Sequence, residues 1–429
     1  MIGSVTTLSI LLLASVELNC ILLYLMLNYK ETGKTRMLQT FNVDAVEEEV
    51  SACPDSTMSG GAHTEEQESM TISENQLAPE DTNNPVSMEQ SQETPENDIC
   101  PKDDQTDSQT DGTTRKQVAP ESLPKENEKK DLSRVRNYTV LHAGPFMIQG
   151  LSIQGQGHLI DNKPCQDYHC VDTAGEDFVI AVVSDGAGSK KNSAYGSSLV
   201  CEKTVQYLKE AIKSLNWGKD SLPDSKTWNA VFRRIVQLVQ GELGQYAKAE
   251  GHAFDSLAAT LIVLLVGPGK TYAAHVGDGR AGVLTPDGWM AVMTPHQGPE
   301  SNQTVFMTNQ ILDPDLEVSG VAVPETEVIE EPVSAFVMMS DGLENGFWIK
   351  NKKETLPDGD FRYKKMNIPF EPALNDVVER MSKCEEGKEQ ALFFSILDHY
   401  NAPLKCENDD KTLCLAFTST ALETIGKDE

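Results

Sequence analysis

The chain has 429 residues, with 36 Lys and Arg against 66 Asp and Glu, a formal net charge of −30. A charge of that sign and size argues against nucleic acid, itself a polyanion, as a partner. Its nine cysteines show no Cys-x-x-Cys pair and no regular spacing, which reads as a reduced main domain rather than a disulfide framework.

In chain order, the first feature is an apolar run of 23 residues, Val5 to Leu27, whose single charge is Glu17. It is long enough to cross a bilayer, at about 20 residues per crossing. No Lys or Arg precedes it, and Lys30, Lys34 and Arg36 follow at once, which favours a single-pass anchor over a cleaved signal and puts the C-terminal side in the cytoplasm. From Asn42 to Ser133 there are 23 Asp and Glu against 6 Lys and Arg, with many polar residues and Pro. Such a stretch buries too little apolar area to offset its chain entropy, so it is expected to be a disordered, acidic linker. The organisation predicted is an anchor at 1–30, a linker at 31–137, one domain at 138–420 and a short tail at 421–429.

Within the domain, Phe146 to Ile153 reads as a first strand. The turn Gly155-Gln156-Gly157-His158 lacks the third glycine of a dinucleotide loop. Phe178 to Val183 is an apolar run rich in Val and Ile, suited to a strand buried on both faces, and it ends in Ser184-Asp185-Gly186. Helices are predicted from about Ser193 to Leu215 and from about Thr227 to Lys248, each with an apolar stripe at helical spacing that belongs to the core. Strands follow at Ala258 to Val266, Thr271 to His275, Arg280 to Leu284 and Trp289 to Val292, with hairpin breaks at Gly267-Pro268-Gly269 and Thr285-Pro286-Asp287-Gly288. A strand at Ala335 to Ser340, helical stretches near Asp376 to Lys383 and Glu389 to Tyr400, and a strand at Leu413 to Phe417 complete the series. This order predicts an α+β domain, helices packed outside antiparallel sheets.

One pattern recurs along these elements. Strand-like runs end in Ser184-Asp185-Gly186, Gly277-Asp278-Gly279 and Ser340-Asp341-Gly342, and Asp409-Asp410-Lys411-Thr412 precedes the last strand. A single Asp-Gly is an ordinary turn, since glycine frees the backbone and Asp bonds back to it. Four acidic turns at strand ends describe one site.

Taken in order, Ser184-Asp185-Gly186-Ala187-Gly188, Phe254 to Leu261, Val276 to Ala281, Met339 to Leu343 and Asp409 to Thr412 resemble the motif series of the protein phosphatase 2C family of metal-dependent Ser/Thr phosphatases. Cys165-Gln166-Asp167 and Gly298-Pro299-Glu300-Ser301-Asn302-Gln303-Thr304 resemble its bacterial branch. The resemblance covers roughly residues 146 to 418 and implies an antiparallel β-sandwich flanked by helices, with metals at one end. It implies that Asp185 bridges two Mn²⁺ or Mg²⁺ ions, with the Gly186 carbonyl on one. Asp341 and Asp409 then complete the cage, and Asp278 serves a third, weaker ion; Asp167 and Gln166 are possible additional members. Hard divalent ions want oxygen ligands, and crowded carboxylates need cations to offset their repulsion. A water between the ions would then attack phosphorus in line, with no Ser or Cys nucleophile.

Three positions depart from that pattern. Gln166 stands where many relatives carry a metal-linked Glu, and Ala187 where animal relatives have a His. The Arg that grips phosphate has no clear counterpart; His158, Lys163 and Lys190 are the candidates. Two functions therefore follow from the sequence: a membrane-tethered phosphatase of phosphorylated protein substrates, or a pseudophosphatase that binds phosphoproteins without turnover. The three retained aspartates favour the first.

Overall fold

The computed structural model describes residues 132–298, 303–355 and 361–426. The expected anchor and nearly all of the acidic linker lie outside the described residues, as do Pro299 to Asn302 of the Gly298 to Thr304 motif. Among the described residues no helix is long and apolar enough to cross a membrane.

The domain opens with a 3-10 turn, Leu132–Arg134, and the strand β1, Val135–Ala143. The boundary expected at residue 138 thus falls inside β1. β1 makes an antiparallel hairpin with β2, Phe146–Ile153. A short helix α1, Gln156–Ile160, leads to β3, Tyr168–Ala174, and β4, Phe178–Ser184. Two long helices follow, α2 at Ser193–Ser214 and α3 at Ser225–Glu250. Asp224 caps α3 by accepting from the Thr227 N–H, and Gly251 ends it in the left-handed conformation, φ 67°.

The next strands are β5, Leu261–Val266, β6, Thr271–Val276, β7, Arg280–Thr285, and β8, Gly288–Ala291. Both predicted hairpin breaks join antiparallel neighbours, β5 to β6 and β7 to β8. The two-residue strands β9, Glu317–Val318, and β10, Val321–Ala322, form their own ladder before β11, Glu325–Ile329, and β12, Ala335–Met339. After a 3-10 turn at Asp341–Leu343 and the one-turn α4, Glu344–Phe347, comes a hairpin of β13, Trp348–Thr355, and β14, Phe361–Pro369. Helices α5, Glu371–Ser382, α6, Glu389–His399, and α7, Ala402–Cys406, precede β15, Lys411–Phe417. α8, Ser419–Ile425, occupies most of the stretch expected to be a tail.

The strands make two antiparallel sheets, β1-β2-β15-β12-β7-β8 and β11-β6-β5-β4-β3. Alternation along each strand explains the layering. On β12, Phe336 and Met338 join Val179, Ala181 and Val183 of β4 and Ile262 and Leu264 of β5 in a core between the sheets. Val337 and Met339 point the other way and pack with Leu374, Val378, Phe393 and Leu397 of α5 and α6. β3 and β4 in turn lie under α2. Each inner strand is covered on both faces, which is why its sequence reads as an unbroken apolar run. Full burial of a side chain such as Phe336 contributes about 2 kcal/mol.

Cys165, Cys170, Cys201, Cys384 and Cys414 are free thiols. Cys406 is disulfide-bonded, so the expectation of a wholly reduced domain does not hold there.

Candidate metal centre

Strand register brings the acidic turns together. Tyr168 pairs with Ser184, so Asp167, before β3, and Asp185, after β4, leave the sheet at the same end. Met339 pairs with both Arg280 and Leu413, which carries Asp341, Asp278 and the Asp409-Asp410 pair to that end too. Five aspartates from five separate turns therefore share one rim of the sandwich.

Asp185 is at its middle. Its carboxyl lies beside those of Asp167 and Asp341, and the Ser340 side chain lies beside the Asp167 carboxyl. Burial, and then the charges of Asp167, Asp341, Asp409 and Asp278, push the Asp185 pKa well above the usual carboxylate range. Asp341 is pushed up the same way, first by burial and then by Asp278 and Asp409. Asp167 rises to about 7, through burial and the neighbouring Asp410. Asp278 rises to about 6, chiefly by burial, although the neighbouring Thr304 hydroxyl and Arg280 pull the other way. Asp409 is raised by burial of its carboxyl and by Asp410, while its outer side is exposed at the mouth.

These shifts have one physical meaning: the rim holds more negative charge than the protein alone neutralises. Asp167 Oδ2 and Asp341 Oδ1 are buried with no donor, and so is Gln166 Oε1. Unmatched buried oxygens on carboxylates are the donor set that a hard divalent cation takes. The residues present thus fit such ions.

The turns are held by close packing. A Cβ on Gly186 would lie 2.8 Å from the carbonyl oxygens of Gln166 and Ser193, so the backbone after Asp185 runs where only glycine fits. Asp410, beside Asp409, has a different task. It accepts from the N–H groups of Gly155 (2.7 Å) and Gln166 (2.5 Å) and stands 2.8 Å from His158 Nδ1. It ties three segments together beneath the rim. His158, Asp409 and Asp410 present ligand atoms within 4.8 Å of one another.

The phosphate-binding candidates all have carboxylate partners. His158 is held by Asp410, which raises its pKa; Lys163 pairs with Asp161 at 3.1 Å; Lys190 pairs with Asp255. Gln166 donates its side-chain N–H to the Lys190 carbonyl, 3.1 Å, and so belongs to the same loop cluster. Lys163 is exposed, and its ion pair faces solvent.

Three further residues escape sequence reasoning. Arg136 donates to the carbonyls of Asp167 (2.8 Å) and Ala194 (2.5 Å) and stacks on Tyr168 at 4.7 Å, so its guanidinium pins the Asp167 loop to α2. His296 exchanges backbone contacts with Gly277: its N–H donates to the Gly277 carbonyl, and its Nδ1 accepts from the Gly277 N–H. That fixes the turn of Asp278. Thr304 stands near Asp278, with its hydroxyl donating to the His296 carbonyl (3.1 Å) and its backbone bridged to Gln297. Only Thr304 lies in a motif quoted from the sequence.

A sandwich of two antiparallel sheets between helices, with a carboxylate rim fitted to divalent ions, defines a metal-centre α+β protein. Residues 154–392 match the model of the Protein phosphatase 2C family, and the chain belongs to that family. It is 26% identical to the Serine/threonine-protein phosphatase 3 of Escherichia coli (strain K12) over 163 residues, 37% of this chain. The chain spans 61% of the length of that relative. Among solved structures it is similar to the Ser/Thr phosphatase Stp1 of Staphylococcus aureus, with TM-score 0.43, 16% identity, and 66% of this chain and 99% of that one covered. A bacterial serine phosphatase gives TM-score 0.41 and 16% identity, covering 63% of this chain and 97% of that one.

Proposed function

We propose that the chain is a metal-dependent protein phosphatase acting on phosphoserine and phosphothreonine. The observation that carries this is Asp185, set between the carboxyls of Asp167 and Asp341 at a rim whose buried carboxylate oxygens lack donors. In this reading Asp185, Gly186, Asp341 and Asp409 would hold two Mn²⁺ or Mg²⁺ ions, with Asp167 as an additional ligand and Asp278 serving a third. Ions held there would supply Lewis acidity to the phosphate and make a nearby water more acidic.

The chain's own groups do the rest. The inner carboxylates would have to be deprotonated to hold such ions, and their rigid strand ends fix the spacing. Asp409 stands at the mouth, where a phosphate arrives. Cys165, the thiol next to the rim in sequence, is buried with its pKa pushed well up, which removes it as a nucleophile. Lys190 and His158 are candidate cations for substrate phosphate, each released only by giving up a carboxylate partner.

The test uses the full chain on an aryl phosphate and a phosphothreonine peptide, with Mn²⁺, Mg²⁺ or chelator. Turnover should require metal and vanish in Asp185→Asn. Metal-independent turnover, or full activity in that variant, sinks the assignment; metal binding without turnover supports the phosphoprotein-binding module instead. The anchor at 5–27, with the domain on the cytoplasmic side, and a linker ending before Leu132 remain part of this proposal. Resistance of the full chain to alkaline extraction from membranes tests the anchor.

A further inference from the structure

The hairpin β13–β14 is not needed to build the sandwich, yet it stands beside the rim. It starts seven residues after Asp341, and its base is fixed by Asn367, which accepts from Arg280 (3.2 Å) and Trp348 (2.8 Å) and donates to the Met293 carbonyl (2.7 Å). Arg280 is two residues from Asp278 and pairs with Glu344 at 2.8 Å; Glu344 also pairs with Lys350 of the hairpin. Between the hairpin and the 294–298 segment lies a cleft of about 540 Å³ lined by Arg280, Gln297, Glu344, Lys350 and Lys365. Two of its lining residues, Arg280 and Glu344, act electrostatically on Asp278 of the rim.

The charge of the hairpin is opposite to that of the chain. Its two strands carry Lys350, Lys352, Lys353, Arg362, Lys364 and Lys365 against one acid, Glu354. Counting Asp358 and Asp360 of the connecting residues 356–360, which lie outside the described residues, the segment is still six bases to three acids in a chain of net −30. Among the described residues, Lys352, Lys364 and Lys365 have no carboxylate partner, and all three are exposed. Lys352 sits directly opposite Lys364 in the ladder. Like charges facing each other across two strands cost stability, a cost that an anion between them removes. Phe361 and Tyr363 are more than half exposed on the same hairpin, and Lys353 lies over the Phe361 ring at 4.3 Å.

We infer that this hairpin docks acidic residues flanking the phosphorylated residue of a substrate, so that Asp- and Glu-bordered phosphosites are the preferred class. The inference rests on the phosphatase reading. Docking of this kind adds attraction and on-rate outside the reacting centre, and salt weakens it.

The experiment compares the full chain with Lys352→Gln/Lys364→Gln/Lys365→Gln, and with the single Lys352→Glu, after thermal melts establish that each variant folds. Substrates are two phosphothreonine peptides of equal length, one flanked by Asp and Glu, the other by Ser and Gly, and an aryl phosphate. The triple variant should lower kcat/KM for the acidic peptide about tenfold, the sum of three modest surface interactions, and leave the other substrates within about twofold. The wild-type preference should fade at about 0.5 M salt. An equal loss on all substrates, or no wild-type preference, overturns the inference. So does faster hydrolysis of the neutral peptide by the variant, which would place the chain's own acidic 42–133 segment on the hairpin. If the wild type hydrolyses nothing, the phosphatase reading fails, and docking is read separately from the fluorescence anisotropy of the labelled acidic peptide in chelator. Binding lost in the variant supports docking; equal binding ends it.

Discussion

His158 Nδ1 stands 2.8 Å from Oδ2 of Asp410, an aspartate adjacent to one at the mouth of the metal centre yet turned to a different use. Asp410 is 2% exposed and also receives two backbone N–H groups, whereas Asp409 faces the opening. Asp410→Ala leaves those donors buried and unmatched, and should cost about 3 kcal/mol in denaturant unfolding. Asp409→Ala should cost about 1 kcal/mol or less and instead weaken metal binding. A reversed ranking in the two unfolding curves would contradict the division of labour.

The raised pKa values set a pH window for the metal-free protein. A carboxyl whose folded pKa lies above its unfolded value of about 3.8 stabilises the fold while protonated, and loses that contribution as pH rises through the folded pKa. For Asp278 and Asp167 the loss runs through about 6 and about 7. Metal ions must displace those same protons. The rise in melting temperature on adding Mn²⁺ should therefore be small at pH 5 and large at pH 8; a pH-independent rise would show that these carboxyls are not the ligands.

Gly186→Ala inserts a methyl 2.8 Å from two carbonyl oxygens that belong to backbone, Gln166 and Ser193, and neither can swing aside. The strain should cost about 1 to 3 kcal/mol. A shift of about 1 Å in Asp185 should lower turnover on the order of a hundredfold. Steady-state kinetics on the folded variant checks this, and unchanged kcat would mean the turn tolerates a side chain.

The inner strands were legible because both faces are buried, so apolar runs such as Val179–Val183 carried the signal without competition. β1 and β14 were not, since an edge strand and a protruding hairpin keep polar and charged residues on exposed faces, and neither alternation nor apolar density marks them. Asp185, Asp278 and Asp341 stood out through the glycine that follows each. Nothing local separates Asp409 from Asp410; the approach of Gly155 to their backbone, fixed by distant residues, decides which carboxylate turns inward. Arg136 escaped for the same reason, its partners lying 31 and 58 residues away.

The sheet order β1-β2-β15-β12-β7-β8 sets the last strand of the domain between two much earlier ones. During synthesis β2 and β12 have no common neighbour until Lys411 to Phe417 has left the ribosome, and Asp409 arrives with that strand. A nascent or C-terminally truncated chain consequently has a gap in the middle of one sheet and an incomplete ligand set. Completion of the candidate metal centre thus waits for residue 417 to emerge, and a premature stop anywhere before it should yield a species that is recognised by quality control rather than one with a partly formed centre.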